Sequence, residues 1–168
     1  MDNYQMIYKE NEGKYKRIIL DYSQAYFQKP ILGIDTIYSC RKYFGVPDGA
    51  ILYTNCRINR KLKTDISYNR ILPILGRYEK NAEIFYEQYK QGERNFNDYP
   101  LMEMSKLTIN LLRTIDYEKV KDIRMQNYLY LMQNLAEFNE LNLIVTKGLF
   151  MYPLYVDNGE LVRENCKK

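Results

Sequence analysis

Histidine and tryptophan are both absent from the 168 residues. The first absence excludes a Cys/His zinc site and any histidine-based catalytic triad. Cysteine is scarce: Cys40, Cys56 and Cys166 are odd in number and lack metal-ligand spacing, so no metal site is expected. That pattern suits a reducing compartment. Long apolar runs are missing as well. The N-terminus is polar and has no signal-like apolar core, and no stretch approaches the length of a membrane span. A cytoplasmic chain without a membrane partner is the expectation. Nor is there a strong excess of one charge. A net charge of +4 permits anionic ligands such as phosphates without demanding nucleic acid, and no basic-aromatic motif points to a nucleic-acid partner. Internal repeats and low-complexity tracts are lacking too.

What is present is enough apolar content for a core and a length typical of one ordinary domain. Tyrosine is abundant, 18 residues against 6 phenylalanines. The tyrosines are scattered rather than gathered in one motif, which reads as core-rim filling with a wet hydroxyl rather than as a base- or sugar-stacking platform.

The chain is organised around residues 18–50. Lys16 to Tyr22 reads as a first strand. Its consecutive Ile18-Ile19-Leu20 predict burial on both faces, as in a parallel sheet. Lys29-Pro30 breaks the chain. A second strand is predicted at about Asp35 to Ser39 and a third at about Ala50 to Thr54, after the turn-rich Gly45-Val46-Pro47-Asp48-Gly49. Residues 1–15 carry a short helix before Gly13. The basic run Arg57, Arg60, Lys61 and Lys63 reads as a solvated loop. Ile71, Leu75, Tyr78, Ala82, Phe85 and Tyr89 then share one face of a long helix, with Pro73 as a kink or a start and Gly92 near its end. Met104, Leu107, Leu111, Leu112 and Ile115 mark a second helix. Asp116 caps a third, whose face carries Val120, Ile123, Tyr128, Leu131, Leu135 and Phe138. Leu149 to Val156 is predicted as a strand, and Glu160 to Asn165 as the start of a helix.

This arrangement places Asp21, Ser39 and Lys42 at or just beyond strand ends, where open α/β sheets bind ligands. An acid, a hydroxyl and an amine meeting there is what a Schiff-base cofactor requires. The spacing alone leaves other readings open. Asp21 could be a helix cap or a solvated strand end, Lys42 a surface lysine beside a solvated Arg41, and Ser39 a turn residue.

DYSQAYF followed by YSCRKYFGVPDGA resembles the cofactor-binding core of fold-type I pyridoxal phosphate enzymes, and within them the DegT-type sugar aminotransferases. Asp21 matches the acid facing the pyridine nitrogen, Gln24 the residue at the ring hydroxyl, and Lys42 the catalytic lysine that bonds the cofactor. Asp48-Gly49-Ala50 matches an acidic-Gly-Gly turn, with alanine for the second glycine. Ser39 matches a phosphate-binding serine, though it stands three residues before the lysine where DegT-type members place it five before. LGRYEKNAEIFYEQY, MSKLTINLL and IRMQNYLYLMQNL resemble the helices that follow. The likeness covers residues 16 to about 165.

The resemblance implies an α/β chain: a partial large cofactor-binding domain over 1–60, connecting helices over 61–100, and a partial small α+β C-terminal domain over 101–168. It implies pyridoxal 5'-phosphate as cofactor and Asp21, Gln24, Ser39 and Lys42 as its binding residues. The substrates would be an amino donor and a keto acceptor, the latter plausibly a nucleotide-linked keto-sugar. In that family an N-terminal half carries further phosphate contacts and the site lies at a dimer interface. A homo-oligomer, or a partner chain supplying the missing half, is therefore expected. The alternative is a catalytically inactive remnant or subunit that binds a partner chain.

Overall fold

The computed structural model describes residues 8–95, 99–143, 145 and 148–165, with the side chain of residue 95 left out. Two compact units divide the chain, Met1–Ile115 and Asp116–Lys168.

The first unit contains a three-stranded sheet: β1 (Ile19–Asp21), β2 (Asp35–Ser39) and β3 (Ala50–Tyr53), in the order β1-β2-β3. β1 and β2 run parallel, with Asp21 level with Ile37. β2 and β3 run antiparallel, with Ser39 opposite Ala50. The fold is thus mixed α/β, as the apolar runs predict, and β2 has the predicted bounds. β1 departs from expectation. Its burial alternates, Leu20 being buried while Ile19 is 63% exposed. It lies at an edge of the sheet, and one sheet face is open. Burial on both faces requires covering layers on both sides, and among the described residues only one face is packed.

That packed face carries the core. Leu20, Tyr22, Ala25 and Tyr38 cluster there, with Ile18, Tyr26, Ile31, Ile34 and Tyr53 against them. The rings meet edge-on, Tyr22 on Tyr38 at 5.6 Å and Tyr26 on Phe44 at 4.8 Å, the arrangement that the ring quadrupole favours. The crossover from β1 to β2, residues 22–34, contains no helix. Tyrosine hydroxyls tie it down instead: Tyr38 donates to the Gln28 carbonyl at 3.0 Å and Tyr43 to the Gln24 carbonyl at 2.6 Å.

Beyond the sheet, a 3-10 turn (Tyr68–Arg70) leads into α1 (Leu72–Gly76). A second 3-10 turn (Ala82–Phe85) leads into α2 (Tyr86–Asn95), and α3 (Lys106–Arg113) follows. The single long helix predicted over 71–89 is therefore broken. Pro73 occupies the first turn of α1, and the Asn81 side chain caps a fresh turn by accepting the Glu83 N–H at 3.2 Å. Gly92 does not end its helix, which continues to Asn95. α3 starts at Ser105, whose hydroxyl accepts the Thr108 N–H at 3.1 Å.

In the second unit α4 (Tyr117–Leu135) begins as predicted, with Asp116 accepting the Lys119 N–H at 3.0 Å. α5 (Gly159–Asn165) matches the predicted terminal helix. The strand predicted over 149–156 does not form. Pro153 has no N–H to give a ladder, and no partner strand lies beside it among the described residues. The Asn139 amide holds this segment instead. It donates to Pro153 O at 2.9 Å and Tyr152 OH at 3.0 Å, and it accepts from Tyr155 N at 3.1 Å. No helix among the described residues is long and apolar enough to cross a membrane.

Candidate functional site

The parallel pairing of β1 with β2 puts the carboxyl ends of both strands at one edge of the sheet. Asp21 closes β1 and Ser39 closes β2. Asp21 is exposed, and its Oδ1 accepts the Ser23 N–H at 2.8 Å as well as the Ser23 hydroxyl. These bonds hold its carboxyl below the usual carboxylate range. The Lys42 ammonium adds to the effect from across the strand ends. Asp21 and Lys42 therefore share one electrostatic neighbourhood, although the whole crossover and β2 separate them in the chain.

Lys42 is exposed and Ser39 half-buried. The side chains of Gln24, Ser39 and Lys42 make no hydrogen bond or ion pair with the described residues, while the main-chain carbonyl of Gln24 takes the Tyr43 hydroxyl. An ionised acid and an exposed amine at one sheet edge suit a ring nitrogen and an aldehyde. The chemistry of this donor set fits pyridoxal phosphate at those two points.

The connection carrying Lys42, residues 40–49, is fixed at both ends. Its neck closes with Cys40 N donating to Gly49 O at 3.0 Å. Gly49 has φ +107°, and a Cβ there would stand 3.1 Å from both Met104 Cε and Thr108 Cγ2. Tyr43, Phe44 and Val46 are buried beneath it. Asp48, 4% exposed, accepts the Ser105 N–H at 3.3 Å and stands 3.5 Å from an Arg70 nitrogen. Arg70 also pairs with Asp65, and the buried Ser67 and Ser105 hydroxyls meet at 2.6 Å. The acidic residue of the turn thus anchors Lys42's connection to the N-terminus of α3. Periodicity carries no sign of this cluster, because Asp48, Asp65, Arg70 and Ser105 stand in loops and at element ends.

Buried Cys40 lies within this anchor. Burial, and then the charge of Asp48, push its thiol up to about 11, so it is inert rather than nucleophilic. Arg41, expected to be solvated, pairs with Glu93 of α2. Among the described residues no group of three or more potential ligand side chains could hold a metal ion.

A cleft of about 650 Å³ is lined in part by Phe44, Gly45, Val46 and Pro47 of the same connection. Arg41 lines it, whereas Asp21, Gln24, Ser39 and Lys42 do not. Of the four residues chosen from the sequence, Asp21 and Lys42 are brought into one electrostatic neighbourhood; Ser39 closes the strand beside that of Asp21, and Gln24 stands in the crossover with its carbonyl bonded to Tyr43.

A scan against protein-family models finds no match, and searches of curated proteins and of solved structures find none either.

Proposed function

We propose that the chain is a pyridoxal phosphate-dependent aminotransferase-like protein of fold type I that acts in the cytoplasm. It would move nitrogen from an amino donor to a keto acceptor of the nucleotide-linked keto-sugar class. The observation that supports this best is the shared neighbourhood of Asp21 and Lys42 at the carboxyl ends of two parallel strands. Pyridoxal phosphate, when bound, supplies an aldehyde for an amine and a ring that accepts electron density from the substrate carbon. Asp21, ionised at neutral pH, would hold a proton on the pyridine nitrogen. Gln24 would contact the ring hydroxyl, and the Ser39 hydroxyl would help hold the phosphate. The Lys42 amine would hold the aldehyde until the substrate's amine displaced it, and the freed amine would then take and return a proton at the substrate α-carbon.

The test is borohydride reduction of the chain in pyridoxal phosphate, followed by peptide mass mapping. A cofactor adduct concentrated on Lys42, and lost in Lys42→Ala with no other lysine taking its place, is the expected result. A preferred adduct on any other lysine would overturn the assignment.

A second reading, a catalytically inactive chain that binds a partner, is favoured by the open sheet face. Ile19 is 63%, Ile37 38% and Leu52 47% exposed there, and among the described residues no strand pairs with the outer edge of β1, an edge of the kind that recruits another strand. Labelling separates the two readings, since an inactive chain should carry no preferred adduct on Lys42; sedimentation of Ile19→Glu, expected to lose any association through this face, tests the second reading by itself.

A further inference from the structure

We propose that the cleft beside α1 and α2 is a binding site for small carboxylates with an apolar body, with Arg77 as the anion contact. Its volume of about 650 Å³ lies in the range of small-molecule sites. Phe44, Val46, Pro47, Pro73 and Ile74 supply apolar lining. The amides of Asn69 and Gln88 stand at the same cleft, an arrangement usual for sites that orient a ligand with a few polar groups on an apolar bed.

The charge count selects the ligand. Three arginines line the cleft, Arg41, Arg70 and Arg77, against the single acid Glu93. Glu93 is taken by Arg41. Arg70 is held by Asp65 and Asp48 from outside the lining. Arg77, the residue that follows α1, is exposed and forms no hydrogen bond or ion pair through its side chain with the described residues. Asp48 and Asp65 together outnumber Arg70, so the three arginines face three acids in all; Arg77 is the lining guanidinium left without an ion-pair partner among the described residues, and it suits one negative charge. Its fork presents two parallel N–H donors, matched by the two oxygens of a carboxylate. A phosphate dianion would bring a second charge with no cation left to meet it. None of Asp21, Gln24, Ser39 and Lys42 takes part, so this site stands or falls independently of the aminotransferase reading.

Ligand-observed saturation-transfer NMR on the full chain, with benzoate, phenyl phosphate and benzyl alcohol as probes, tests it. Benzoate should bind more tightly than benzyl alcohol. Arg77→Gln should weaken benzoate about fivefold, the upper range for an exposed ion pair, and leave benzyl alcohol unchanged. Among the described residues no hydrogen bond or ion pair depends on the Arg77 side chain, so the variant should fold. Lys80→Gln, an exposed cation outside the lining, should change nothing. Equal benzoate affinity in parent and Arg77→Gln, an equal loss in Lys80→Gln, or tighter binding of phenyl phosphate than of benzoate would each overturn the proposal.

Discussion

Replacing Gly49 by alanine should cost far more than the same change at Gly33, and the difference measures how tightly Lys42's connection is packed. Both glycines have positive φ, +107° and +86°. A non-glycine residue in such a conformation costs roughly 1–3 kcal/mol. At Gly33 a Cβ meets nothing within 4 Å, so the strain acts alone. It is partly offset by the roughly 0.4–1 kcal/mol gained through restricting the unfolded chain. At Gly49 the same methyl would press on Met104 and Thr108 at 3.1 Å and on Cys40 Cβ at 3.4 Å. Overpacking of this kind adds about 1–3 kcal/mol. The expected costs are about 1 kcal/mol for Gly33→Ala and about 3 kcal/mol for Gly49→Ala. With a urea m-value of about 2 kcal/mol/M, the midpoints fall by about 0.5 M and about 1.5 M. Tyrosine fluorescence reads the transition, since there is no tryptophan to mask it. Equal shifts for the two variants would show that Gly49 is not wedged between Cys40 and α3, and the account of how Lys42 is held would fail with it.

In a Cys166→Ser background, iodoacetamide at pH 8 should label exposed Cys56 much faster than Cys40, which is buried and has a thiol pushed up to about 11; equal rates by peptide mass spectrometry would contradict the buried placement. Burial raises the Tyr38 hydroxyl to about 12 from its ordinary 10. The stabilisation from its neutral form is therefore complete below pH 10 and lost as pH rises towards 12, so circular dichroism should show alkaline loosening in that window that Tyr38→Phe reduces. Asp116→Ala removes the acceptor at the start of α4 and should cost about 1 kcal/mol, read as a lower thermal midpoint of that helix; an unchanged midpoint would deny Asp116 its capping role.

The parts legible in the sequence are those whose cause is local. Asp35–Ser39 shows itself through β-branched and aromatic residues between turn signals, and Asp116 through a cap ahead of an apolar periodicity. Other features depend on what packs where. Ile18-Ile19-Leu20 is as apolar as a strand buried on both faces, yet nothing in three consecutive residues tells whether a second layer exists. The apolar face from Ile71 to Tyr89 continues in phase through a break, because periodicity does not register that Asn81 can cap a new turn. Leu149 to Val156 has strand composition, but a strand needs a neighbour as well as propensity. At the candidate site, Asp21, Ser39 and Lys42 could be placed at strand ends from the order of the runs. The contacts of Asp48 with Ser105 and Arg70 join segments far apart in the chain and leave no trace in any one of them.

The extended segment of the second unit depends on which atom occupies one position of the Asn139 side chain. Hydrolytic deamidation would turn that side chain into a carboxylate of nearly the same shape. Both oxygens could still accept, so the Tyr155 N–H would keep its partner. The Pro153 carbonyl would lose its donor and face a negative charge instead. Such an exchange, with no cut in the chain and almost no change in mass, would loosen the extended segment at Pro153 while its ties at Tyr155 remained.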